Sequence, residues 1–253
     1  MAATGLLGCV GGDAAPTPPA VVTEGPRALT SDEAERLALV RFRNFDAGVR
    51  AVATSVVDAG VSYAISGWVD FASQLGYGRI EAAGEQSLLA WSMVGVATAP
   101  LPTGVTEAPL PPPTVESVDS GWISSSLAPD ASRLHALLAL IISVSSDRPD
   151  NPLLLQQTDA RWLRSDEIDG VRVDVYAGPT SDTVYDPASG EPDDGSAATV
   201  RYWVDSGGLL VRLEAHLGGS GEWSTVDFAE AESNVQFAQE LGSAVDSASE
   251  STQ

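Results

Sequence analysis

Between Val61 and Phe71 the chain reads VSYAISGWVDF, and this alternation restricts the fold more than any other stretch. Val61, Tyr63, Ile65, Val69 and Phe71 share one parity, while Ser62, Ser66, Trp68 and Asp70 share the other. Strand side chains point to opposite faces with a period of two, so the segment predicts a half-buried strand. A sheet with one apolar face needs a cover. Two segments can supply it. Thr30 and Glu33 form a capping-box pattern ahead of Leu37, Val40 and Phe42, which predicts a helix over 31–44. Residues 132–144, SRLHALLALIISV, carry Leu134, Leu137, Leu138, Ile141 and Ile142 at helical spacing.

The remaining pattern is mostly strand. VRAVATSVVD (49–58) is β-branched. Leu75-Gly76-Tyr77-Gly78 reads as a turn into RIEAA (79–83). SLLAWSMVGVATA (87–99) reads as one continuing strand, apolar on both parities and therefore covered on both faces. Residues 100–119 hold six prolines, which exclude helix and interior strand and predict a surface loop joining two halves of one domain. WISSSL (122–127) is a short strand, and Asn151-Pro152 starts a short helix with Asn at the N-cap and Pro at N1. ARWLRSDEIDG and VRVDVYAG follow as strands, then an acidic loop over 181–198. TVRYWVD and LLVRLEAHL form a hairpin across Ser206-Gly207-Gly208, and WSTVDFAEA (223–231) is a last strand. The sum is an α+β protein with mostly antiparallel strands. One domain is expected over 30–235, with a tether over 1–29 and a partly disordered tail over 236–253. Ala64, Gly67, Ala90, Gly95 and Ala97 are small, and favour room beneath the cover.

The only cysteine, Cys9, follows Leu6-Leu7-Gly8, the pattern of a bacterial lipobox. An incidental thiol is the plain alternative. A diacylglycerol on that sulfur would anchor the chain, since burial contributes about 0.8 kcal/mol per CH₂ and two chains suffice. Eight residues precede Cys9 and none is basic, so the signal is expected to be truncated. The Gly/Pro/Ala stretch after it reads as a flexible tether. With 13 basic residues, all arginine, against 35 acidic ones, the net charge of -22 repels phosphate backbones and argues against nucleic-acid binding.

Catalytic patterns are sparse. There is no Gly-x-Ser-x-Gly elbow and no P-loop. Neither His135 nor His216 has a second histidine or a cysteine at ligand spacing. Glu191, Asp193 and Asp194 cluster beside Gly195 without EF-hand alternation and read as a solvated loop. No catalytic residue, metal or cofactor is expected.

Trp122-Ile123, the Leu-rich helix and DRPDNPLLLQQTDARWLRSDEIDGVRVDVYAG resemble actinobacterial lipoproteins of the LppX/LprG group. So do ISGWVDF with the strand after it, and the hairpin RYWVDSGGLLVRLEAHL with its WVD-x-x-G-x-L-x-R run. The resemblance covers roughly residues 31–232. It implies the curved antiparallel half-barrel of the LolA and LolB carriers, closed by helices, with acyl chains held between sheet and helices. It also implies acylation at Cys9 and an extracytoplasmic chain anchored to the outer face of the cell membrane. The expected role is binding or shuttling of a lipid or glycolipid without catalysis. Strand parity and helix face select Tyr63, Ile65, Val69, Trp91, Met93, Leu137 and Ile141 as its lipid-binding pocket. The rival expectation is an anchored adaptor or sensor with a filled core, offering its acidic surface to an envelope protein partner.

Overall fold

The computed structural model describes Met1, residues 25–113, 121–180, 194–218 and 222–232, and positions 235, 236, 241 and 245. Cys9, residues 181–193 and the SASESTQ terminus lie outside the described residues.

The chain enters through β1 (Arg27–Ala28) and turns into α1 (Ser31–Ala47). The capping box forms as expected: Thr30 Oγ1 accepts from Glu33 N–H, and the Glu33 carboxylate accepts from Thr30 N–H. Burial opposes ionisation of Glu33. The Arg27 guanidinium, the Thr30 backbone N–H and the Thr30 hydroxyl together outweigh it and pull the carboxyl down to about 2.

A first antiparallel meander follows: β2 (Val49–Asp58), β3 (Val61–Asp70), β4 (Leu75–Ala82), β5 (Glu85–Trp91), β6 (Gly95–Pro100) and β7 (Ile123–Ser126). Then come α2 (Arg133–Ser143) and the single turn-and-a-half of α3 (Pro152–Gln157). Asn151 caps α3 through its Oδ1, which accepts from Leu153 N–H at 3.0 Å. A second meander closes the described chain: β8 (Arg161–Ile168), β9 (Val171–Ala177), β10 (Val200–Asp205), β11 (Leu210–His216) and β12 (Trp223–Glu230). Antiparallel pairing of β12 with β2 fuses the two meanders. The result is one open, curved 12-stranded sheet in the order β1-β8-β9-β10-β11-β12-β2-β3-β4-β5-β6-β7.

Two expectations about the strand boundaries are corrected. Leu75–Gly78 is not a turn: the chain reverses over residues 71–74, and Gly76 and Gly78 lie inside β4. Their lack of a side chain answers close approach between strands. A Cβ on Gly67 would lie 2.4 Å from Gly78 Cα, and one on Gly76 would lie 2.1 Å from the Trp91 ring. Residues 87–99 form a hairpin, with Ser92–Val94 as the connection between β5 and β6. Ser92 Oγ accepts from Val94 N–H at 3.2 Å and Gly95 N–H at 3.3 Å, so a hydroxyl turns the chain within an apolar run.

Both sheet faces are covered in the first meander, as the double-parity pattern of 87–99 implies. On one face α2 lies across β2 and β3, and α1 packs on α3 and β11. On the other face Leu75, Tyr77, Leu88, Ala90 and Ala97 cluster with Ala108 of the Pro-rich loop and with Leu241 and Val245. Tyr77 Oη donates to Pro109 O at 3.0 Å, tying the loop down. Leu241 and Val245 are helical and fully buried there. The small residues do not leave a cavity. Gly67 faces β4 backbone, Ala90 and Ala97 pack in this second cluster, a Cβ on Gly95 would meet Val245 O, and Ala64 is exposed.

Candidate functional site

The site is shaped by how α2 meets the sheet. Ser132 caps the helix, its Oγ accepting from His135 N–H at 3.2 Å and donating to Asp58 Oδ2 at 2.6 Å. Asp58 Oδ2 also accepts from Leu134 N–H, so the end of β2 pins the start of α2. The Ser132 hydrogen bond is the main reason that the Asp58 carboxyl sits below its ordinary value. At its other end α2 is latched to α1. Asn44 Nδ2 donates to Val144 O at 2.7 Å, and Arg41 Nε donates to Ser143 O at 3.2 Å.

Held at both ends, α2 drives Leu137, Leu138, Ile141 and Ile142 into the sheet, each with no exposed surface. Five of the expected pocket residues meet here: Ile65, Val69, Trp91, Leu137 and Ile141 are each at most 2% exposed and share one cluster. They form a packed centre. Tyr63 sits at its edge, partly buried. Met93 is 44% exposed in the β5–β6 connection, apart from the others.

Open space remains on either side of that centre. One cleft, of about 320 Å³, runs beside the α2 N-terminus over β3 to β7 and is lined by Tyr63, Ile80, Leu89, Val96, Ile123 and Leu134. The larger, of about 470 Å³, lies between α1, α3 and β10. Its apolar wall is Leu37, Val40, Leu154, Leu155, Pro179 and Tyr202. Its polar rim is Arg41, Asp150, Asn151, Gln157 and Thr158. Arg41 is paired: besides Ser143 O it donates to Ser145 O and to Asp150 Oδ1, the last at 3.3 Å. Asp150 N–H donates to Ala38 O and Ser146 N–H to Arg41 O, so the α2–α3 connection is stitched to α1. Leu154 lines the cleft yet is 59% exposed, and neighbouring Leu153 is 65% exposed, which marks an apolar mouth.

This cleft was not anticipated from the sequence, and neither was Tyr202. Val200, Tyr202 and Val204 alternate along β10 toward the helix-covered face, and Tyr202 is the one with a polar tip. Burial raises its phenol above the ordinary value. Arg41 opposes the rise and Asp150 adds to it. Among the described residues its Oη has no hydrogen-bond partner.

Asp58, Ser132 and His135 stand close together but are wired as structure. The Ser132 proton goes to Asp58, and His135 Nδ1 accepts from Ala128 N–H at 3.0 Å. Among the described residues no group of three His, Cys, Asp or Glu could hold a metal ion, and no helix is long and apolar enough to cross a membrane.

No protein-family profile and no curated protein matches the chain. Among solved structures it is similar to the lipoprotein LppX of Mycobacterium tuberculosis, at a TM-score of 0.39 and 18% identity, covering 79% of this chain and 98% of that one. It is also similar to a putative outer membrane lipoprotein-sorting protein domain from Vibrio parahaemolyticus, at a TM-score of 0.24 and 10% identity, covering 83% and 97%.

Proposed function

We propose that the chain is a cell-envelope lipoprotein, anchored outside the cytoplasmic membrane through Cys9, that binds or shuttles a lipid or glycolipid. An acyl chain enters the cleft between α1, α3 and β10. The observation that carries this reading is the open space of about 470 Å³, walled by Leu37, Val40, Leu155 and Tyr202, beside the packed centre under α2. Ligand sites typically measure about 300–1,000 Å³ and are mostly apolar with a few polar groups. Apolar surface buried there contributes about 25 cal/mol per Å², less the cost of ordering the ligand. The role is carriage without chemistry. The test is solvent extraction and mass spectrometry of the protein purified from its native host, followed by uptake of a labelled acyl chain. Co-purifying lipid and a diacylglyceryl group on Cys9 are expected. A lipid-free protein that takes up no acyl chain overturns the reading.

The packed centre under α2, together with the net charge of -22, favours a second reading: an anchored adaptor whose acidic surface meets an envelope protein. It predicts partner binding that weakens with added salt, and no acyl-chain uptake.

A further inference from the structure

We infer that Tyr202 is the specificity-determining residue of the α1–α3 cleft: its Oη donates to an uncharged oxygen, so the cleft selects a single-chain lipid ending in an ester, amide or alcohol over a free fatty acid. This rests on the cleft reading of the preceding subsection.

The argument is an inventory of what the cleft offers to a ligand's polar end. Arg41 is its one cation, and it is already paired with Asp150 and hydrogen-bonded to two backbone carbonyls. Arg41 and Asp150 cancel, so the lining carries no spare positive charge for a carboxylate. A carboxylate placed there would face Asp150 and the field of a chain with net charge -22. Desolvating an anion without a partner is costly, whereas a neutral ester or hydroxyl oxygen needs only one donor. Tyr202 supplies that donor. The phenol is partly buried, keeps its proton across the physiological range, and has no hydrogen-bond partner among the described residues. A ligand oxygen would satisfy it. Space limits the rest. The cleft holds about 470 Å³ and its Leu37 and Val40 belong to the packed core, which leaves room for one chain.

Equilibrium dialysis of the full chain at neutral pH tests this with three probes of equal chain length: an alkane, the 1-monoacylglycerol and the fatty acid. The monoacylglycerol should bind at least about tenfold tighter than the fatty acid. Tyr202→Phe removes only the hydroxyl and should weaken monoacylglycerol binding about three- to tenfold, the worth of one hydrogen bond, while alkane binding stays unchanged. Equal or tighter binding of the fatty acid overturns the inference, and so does a Tyr202→Phe variant that keeps full monoacylglycerol affinity. If none of the three probes binds, the cleft reading itself falls. The wild-type preference needs no variant, so a folding defect in Tyr202→Phe cannot shield the inference.

Discussion

Leu137 and His135 sit two positions apart on α2, and each makes a different prediction. Leu137 has no exposed surface and fills the space between helix and sheet, so Leu137→Ala should destabilise the fold by about 2–5 kcal/mol in urea unfolding. A cost below about 1 kcal/mol would mean that the centre is looser than described. His135 is held neutral. Burial lowers its affinity for a proton, Asp58 pulls the other way, and Nδ1 is committed to the Ala128 N–H. The unfolded chain therefore binds the proton more readily below the ordinary value of 6.5. The contribution of His135 is complete above that pH and is lost as pH falls through the lowered folded value. Urea midpoints should decline from pH 7 toward about 5.5 in the wild type, and His135→Gln should flatten the decline. An unchanged slope would remove His135 from the account.

At the scale of elements, α3 carries the mouth of the cleft. It is six residues long with no buried residue, and its Leu154 gives one side to the cleft and the other to solvent. Leu154→Gln should leave stability within about 0.5 kcal/mol of wild type, as befits an exposed side chain. It should weaken acyl-chain binding about three- to tenfold in the same dialysis, and undiminished binding would put the ligand elsewhere. The helices were legible in the sequence because their signals are local. Thr30 with Glu33 and Asn151-Pro152 each name a helix start by a hydrogen bond within a few residues, and the Leu/Ile spacing over 132–144 names α2. The turns in the first meander were not, because Gly76 and Gly78 look like turn residues but serve approach between strands. The connection at Ser92–Val94 has no glycine or proline of its own, and its turning group is a serine hydroxyl. Site residues divide the same way. Parity placed Ile65, Val69 and Trp91 on the helix-covered face correctly, yet whether a face is filled depends on how far α2 stands from the sheet. That distance is set by the Asp58 and Asn44 tethers, which are far apart in sequence from the helix ends they hold.

Across the whole molecule, one open sheet carries helices on one face, is covered on both faces in its first meander, and keeps clefts on the flanks of its helical cover. Pairing of β12 with β2 makes the two meanders one surface, so the clefts on either side of α2 belong to the same face. A solid centre with open flanks suits a protein that holds one slender guest at its side and keeps its fold without it. The most direct test is diffraction from crystals grown with a monoacylglycerol brominated near the end of its chain. The account predicts one anomalous peak between Leu37, Leu155 and β10, with the polar end near Tyr202. A peak in the cleft beside Tyr63, or no ordered bromine at saturating ligand, would contradict it.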